Sequence, residues 1–179
     1  MQIKEIQIDI VERNLDFVGD NVPQAAGITG GITHQGILRI RTDDGFEGNS
    51  IIGQHRSNSM IQIENIQKRF KHHLLGKDPL TSIELWTHIN KMPKVSINRF
   101  SPMDFSSWAS IDVALWDLKG KITGLPVYSL LGGTEEKIPA YGTFQPRFFN
   151  AEGYESESNE IKEMNLKAYK IHPGAMPTK

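Results

Sequence analysis

Toward the end of the chain, Ala168-Tyr169-Lys170-Ile171-His172-Pro173-Gly174 sets a lysine and a histidine two residues apart in a run that reads as a strand. Side chains at i and i+2 of a strand leave on the same face. Lys170 and His172 would then share one space and Ile171 would face the other way. The two residue types suit proton transfer. A lysine beside a second cation and out of water gives up its proton more readily, and a histidine titrates near neutrality without help. An ammonium turned into a packed interior is costly unless paired, so that placement would speak for a role. The same spacing also fits two side chains on a solvated strand that do nothing. Elsewhere, Asp112 and Asp117 look like metal ligands at first sight, but five residues apart on one helix they point in different directions. Bonds to backbone groups or to arginine fit them better. His72 and His73 are adjacent on a helix, cannot converge on one metal, and read as a solvated face. No Gly-rich phosphate loop, nucleophile elbow or HExxH motif occurs.

The elements that would carry these residues can be read from periodicity. Ile6, Ile8 and Ile10 alternate with polar neighbours, a strand with one face buried. A loop from about Leu15 to Thr33 follows, holding Gly19, Pro23, Gly27, Gly30 and Gly31. Structureless loops longer than ~12 residues are usually functional or disordered. This one carries Asp20, Asn21 and Gln24, with His34 at its end. Leu38 and Ile40 then alternate with Arg39 and Arg41, and Asp44-Gly45 leads into Phe46–Ile52, a strong hairpin signal. The opening is a predicted three-stranded antiparallel sheet. His55 lies in the next loop. Ile63, Ile66, Phe70 and Leu74 mark a helix, stopped by Gly76 and Pro79. Thr81 with Glu84 reads as a capping box opening a second helix with Leu85, Trp86, Ile89 and Met92. A third runs from about Ser106 to Ile122. Trp108, Ile111, Leu115, Leu118 and Ile122 line one side and Ala109, Val113 and Trp116 the other, which predicts burial nearly all round. Pro126 opens a short turn ended by Gly132-Gly133. Beyond it the pattern changes to strand (Ile138–Phe144), helix (Ser156–Met164) and strand (Leu166–Ile171), a βαβ unit with a parallel pair. The fold class is α+β, with a boundary near residues 133–137: one domain over 1–133 and the start of a second over 134–179.

Composition narrows the function classes. The 179 residues are 38% apolar, with 20 basic against 21 acidic residues and no cysteine. Disulfides and thiolate metal sites are excluded. No basic run or aromatic-basic stripe points to nucleic acid or anionic lipid. No apolar run approaches the ~20 residues that span a bilayer, and no apolar h-region opens the chain. A cytoplasmic protein without membrane or nucleic-acid partners is the expectation.

The stretch Ala109-Ser110-Ile111-Asp112-Val113-Ala114-Leu115-Trp116-Asp117-Leu118-Lys119-Gly120-Lys121, continued by Gly124-Leu125-Pro126-Val127-Tyr128 and Leu130-Leu131-Gly132-Gly133, closely resembles the signature of the mandelate racemase and muconate lactonizing family of the enolase superfamily. The order of elements is similar too. The resemblance implies an N-terminal capping domain of three strands and a helical bundle, followed by the first strands of a truncated (β/α)7β barrel. It implies abstraction of the proton α to a carboxylate, assisted by Mg2+ held by acidic residues on the third to fifth barrel strands, with no metal ligand within this chain. The use of a Lys or His base with one or two Mg2+ ions in this superfamily is an established example. By the same resemblance Lys170 aligns with the first lysine of a Lys-x-Lys pair at the end of the second barrel strand, and His172 replaces the second. Lys170 would orient or polarise the substrate and His172 act as acid or base. The Gly-rich loop resembles the lid that closes the barrel mouth, making Asp20, Asn21, Gln24, His34 and His55 candidate substrate contacts.

A barrel of this type needs roughly 200 to 250 residues, and residues 134–179 supply two strands and one helix. The expectation is therefore a fragment of a magnesium-dependent enzyme, inactive alone, whose parent is most readily an acid-sugar dehydratase, since His172 could protonate a leaving hydroxyl. Racemisation or epimerisation, and cycloisomerisation, start from the same proton abstraction. A small carboxylate or sugar acid is the implied substrate, and a homo-oligomer the implied assembly. The reading from a different class is a non-catalytic module that keeps the lid fold for binding or assembly.

Overall fold

In the computed structural model, residues 1–14, 32–53, 59–91, 102–134, 137–143 and 150–171 are described. They fall into two compact units. The larger is Met1–Arg13 with Ile32–Gly133, and the smaller is Asn14–Gly31 with Thr134–Lys179.

The larger unit opens with a three-stranded sheet in the order β1 (Ile3–Asn14), β2 (Ile32–Thr42), β3 (Glu47–Ile52). β2 and β3 pair antiparallel, with Gly36 opposite Ile52 and Arg41 opposite Glu47. The predicted hairpin turn is there. Gly45 takes φ +90°, a conformation open to glycine. The Phe46 amide donates to Thr42 Oγ1 at 3.1 Å, and the Thr42 amide to the Phe46 carbonyl at 2.9 Å. Alternation sends Leu38, Ile40 and Ile52 into the core. The other face carries an ion ladder across all three strands. Arg39 bonds Asp9 at 2.7 Å and Glu47 at 3.0 Å, and Arg41 bonds Glu47 at 2.6 Å and Glu5 at 2.8 Å. β1 keeps one buried face only in part. Ile6 is buried, but Ile10 is 48% exposed, because that end of the strand runs out from the core.

The periodic run after the sheet forms α1 (Met60–Asn65), a π turn (Ile66–Phe70) and α2 (Lys71–Leu74). Ile63, Ile66, Phe70 and Leu74 are all buried, as their spacing predicts, and Gly76 ends the run at φ +74°. α3 (Ser82–Lys91) begins after Thr81, whose hydroxyl turns back to donate to the Asp78 carbonyl at 2.9 Å.

α4 (Pro102–Thr123) is the spine of the unit. It lies so close to β3 that a Cβ on Gly48 would meet the Ala114 carbonyl oxygen at 2.2 Å. Trp108, Ile111, Ala114, Leu115 and Leu118 are buried. Each side chain of the Leu or Ile class taken fully from water contributes about 1.5–3 kcal/mol, so this face anchors the core. The expectation of burial all round is corrected here. Ala109 is exposed and Val113 is 57% exposed, because the sheet covers one side of the helix only. α5 (Val127–Leu130) follows Pro126 as expected, and Gly132 leaves it at φ +79°.

The smaller unit holds α6 (Ala151–Glu163), which starts five residues before the predicted Ser156. Asn150 caps it, its side-chain oxygen accepting from the Gly153 amide at 2.9 Å. Where two parallel strands were expected, the described residues show one parallel bridge, Gly142 with Tyr169. The Gly142 amide donates to the Ala168 carbonyl and the Lys170 amide to the Gly142 carbonyl, both at 2.9 Å. Residues 144–149 and 172–179 lie outside the description. Among the described residues, no helix is long and apolar enough to cross a membrane.

Candidate active site

Lys170 is positioned by its neighbour. The Tyr169 hydroxyl donates to the Glu157 carboxylate on α6, and Glu157 is 1% exposed. One turn further along the same helix face, Ile161 is buried against Gly142, where an added Cβ would lie 1.8 Å from Ile161 Cδ1. Both chains of the bridge are thus seated on α6, one through a hydrogen bond and one through glycine's missing side chain. With Tyr169 turned to the helix, Lys170 leaves on the opposite face. Its side chain is exposed, with Nζ 6.0 Å from the centroid of the Tyr141 ring. At that distance an ammonium is still attracted by the ring face.

His172 lies outside the described residues, as do Asp20, Asn21, Gln24 and His55. His34 sits on β2 in the larger unit, with Nε2 3.9 Å from a Glu12 carboxylate oxygen. Of the three aspartates of α4, Asp117 takes a structural part. Asp117 accepts from the Asn49 amide of β3 and from Lys121 Nζ, each at 2.7 Å. This ties the helix to the sheet as the sequence suggested. Asp112 is pushed up from its ordinary range by burial, against the pull of Lys119. Lys119 is pushed down by burial, against the pull of Asp112 and Asp78, and its Nζ bonds Ser82 Oγ at 2.6 Å over the Trp116 ring. The rings of His72 and His73 lie against each other, their centroids 3.9 Å apart. Among the described residues, no three His, Asp or Glu side chains could jointly hold a metal ion.

Two features escaped the sequence. Glu157 sits in a polar helix, where a buried carboxylate is unexpected. Its only signal is the four-residue spacing to Ile161, which puts both on one face. The second is a corner in the larger unit where Ser59 Oγ and Gln62 Oε1 have no hydrogen-bond partner among the described residues, which no motif marks.

A 145-residue alignment joins the chain, at 32% identity, to a D-galactonate dehydratase family member of Marinomonas sp. (strain MWYL1), covering 76% of this chain and 33% of that protein. A D-galactonate dehydratase of Ralstonia pickettii (strain 12J) is 36% identical over 108 residues, 58% of this chain and 26% of that one. The crystal structure of an enolase superfamily member from Polaromonas sp. JS666 superposes with a TM-score of 0.79 at 26% identity, over 96% of this chain and 44% of that chain. The chain therefore spans less than half the length of the proteins it matches. The family model for the mandelate racemase / muconate lactonizing enzyme N-terminal domain matches residues 20–132. By its sheet, its helices and that match, the chain belongs to the mandelate racemase / muconate lactonizing enzyme family of the enolase superfamily.

Proposed function

We propose that this chain supplies the capping domain, Met1 to about Gly133, and the opening of the catalytic barrel, residues 134–179, of an acid-sugar dehydratase. The observation that supports the reading is the seating of Tyr169 on Glu157, which leaves Lys170 on the face opposite α6; in this reading that face is the interior of the barrel. The names of the D-galactonate dehydratase relatives support a sugar acid as substrate. In this reading Lys170 Nζ orients the substrate carboxylate, a task for a compact cation with three donors. His172, two residues on, delivers a proton to the departing β-hydroxyl. A base outside the described residues takes the α-proton, the β C–O bond breaks as the hydroxyl leaves with the proton from His172 as water, and the resulting enol tautomerises to a 2-keto-3-deoxy acid. Magnesium enters through the family alone, with its ligands on residues other than those described.

The test is made on the product of the complete gene, incubated with Mg2+ and a panel of sugar acids in D2O. A keto acid formed from one of them, and a loss of turnover of about 100-fold or more in His172→Ala, are the expected results. Exchange of the α-proton with no keto acid would turn the reading to a racemase or epimerase. Turnover undisturbed by His172→Ala would remove that residue from its role.

A further inference from the structure

We propose that three side chains of α4 hold shut the outer edge of β3, a surface that would otherwise add a second copy of this chain strand to strand. Among the described residues, β3 stands at the edge of the sheet, with β2 on one side. In an antiparallel pair, alternate residues turn both backbone groups away from the partner strand. Asn49 is one of these. It lies opposite Arg39, yet its amide donates to Asp117 Oδ2 on α4 at 2.7 Å. The period of two then turns the backbone of Glu47 and Ile51 outward as well, and α4 meets both. Lys121 Nζ donates to the Glu47 carbonyl at 2.8 Å. Ser110 Oγ donates to the Ile51 carbonyl at 3.3 Å, sharing its proton with the Ser106 carbonyl. Ser110, Asp117 and Lys121 follow at seven and then four residues, the spacing of one helix face. They meet Ile51, Asn49 and Glu47 in reverse order, so α4 runs alongside β3 as an antiparallel neighbour whose bonds come from side chains.

Anchoring the helix does not require this row. The buried Leu115 and Leu118, and the contact of Gly48 with the Ala114 carbonyl, already fix α4 against β3. Asp117 and Lys121 are 37% and 45% exposed, where an ion pair contributes little. What the row does is use up the donors and acceptors that a new strand would need. β3 lacks the usual guards of an edge, which are proline and charges set against an incoming strand. Paired antiparallel about Asn49, two copies of β3 would set Asn49 against Asn49 and Glu47 against Ile51, with no like charges opposed. Ile51, 68% exposed, would gain cover in that pairing. The strand is thus complementary to itself, and the occupant that fits its edge is another copy of this chain.

The test uses the 179-residue chain and a double variant, Asp117→Leu with Lys121→Met, which removes one acceptor and one donor from the edge. In the parent the Asn49 amide should exchange slowly, although it turns away from β2. In the double variant it should exchange about ten-fold or more faster in dilute solution, the worth of one charge-assisted hydrogen bond. In sedimentation velocity the double variant should gain mass over the parent as concentration rises, toward that of a pair of parent particles. Asp117→Asn loses the ion pair with Lys121 but keeps an acceptor oxygen, and should behave as the parent does. Ile51→Glu added to the double variant sets a glutamate against Glu47 of the second copy and should abolish the gain in mass, whereas Ile51→Lys should enlarge it. Where the double variant does not fold, Asp117→Leu alone is put through the same measurements. The proposal fails if the opened variant keeps the parent's mass at every concentration, if its association survives Ile51→Glu, or if Asp117→Asn associates as fully as Asp117→Leu.

Discussion

The two units hold themselves together by different means. The larger one buries a continuous cluster from Ile3 and Ile6 through Leu38, Ile40, Phe70 and Leu118, with a sheet, a long helix and a salt ladder all agreeing on one register. Among the described residues of the smaller one, the buried side chains of α6 are Glu157 and Ile161, and the chain pairing is one bridge, while Ile138, Tyr141, Met164 and Ile171 stay exposed. Among the described residues, the larger unit therefore holds most of the buried apolar side chains. The smaller one depends on a few specific fits, and those fits aim Lys170.

The contrast can be broken from either side. Leu118→Ala should produce the largest effect, about 2–5 kcal/mol lost from the larger unit in a denaturant titration, because the residue is fully buried between α4 and β3. A loss under about 1 kcal/mol would mean that the cluster is not the seat of stability. Gly142→Ala comes next, at about 1–3 kcal/mol, since the new methyl collides with Ile161. Its signature is faster hydrogen exchange at the Gly142 and Lys170 amides with the main melt unmoved. A main melt that falls with it would join the two units into one cooperative block and end the comparison. Tyr169→Phe should cost about 1 kcal/mol and speed exchange at Lys170 alone.

The smallest effect is electrostatic. Asp9 is held below its ordinary range by the hydrogen bonds from Arg39 and Gln7, and Asp43 by the Gln2 amide. Glu47 lies low as well. Burial works against its charge, but the hydrogen bonds from Arg41 and Arg39 prevail. Carboxylates depressed on folding stabilise the folded state above their unfolded values, about 4. That contribution is lost as pH falls through the lower folded values. Denaturation midpoints of the larger unit should hold from pH 7 to about 5 and decline below about 4. Arg39→Ala should make the decline shallower. A midpoint that rises on acidification would reverse the sign assigned to the ladder.

Much of the larger unit was legible because its elements have one covered face each. The Ile63-Ile66-Phe70-Leu74 spacing and the Asp44-Gly45 turn both appear where the sequence puts them. α4 was harder. Its pattern is apolar on both sides, and periodicity reports contrast within an element, not whether a partner is present, so it could not say that Ala109 and Val113 stand open. The π turn inside the Ile66–Phe70 run was equally hidden, since the same apolar spacing serves an uninterrupted α-helix. For the candidate site, the alternation of Tyr169 and Lys170 could be read from the strand period. Glu157 could not, because a buried carboxylate on a polar helix is defined by a hydroxyl twelve residues away. The family signature on α4 pointed to the family without touching any of the proposed site residues.

The ion ladder has a further consequence for how the hairpin finds its partner. Sliding β3 along β2 by two residues would keep Leu38, Ile40, Ser50 and Ile52 all on the core side, so burial alone hardly distinguishes the slipped form from the native one. Charge does. In one direction the slip sets Glu47 opposite Asp43 and strips Arg39 and Arg41 of their shared carboxylate. In the other it closes the chain onto Gly45 and abolishes the turn. Glu47, a modest contributor to the energy of the finished sheet, thus serves as a proofreading mark that leaves the misaligned hairpin with no comfortable resting place.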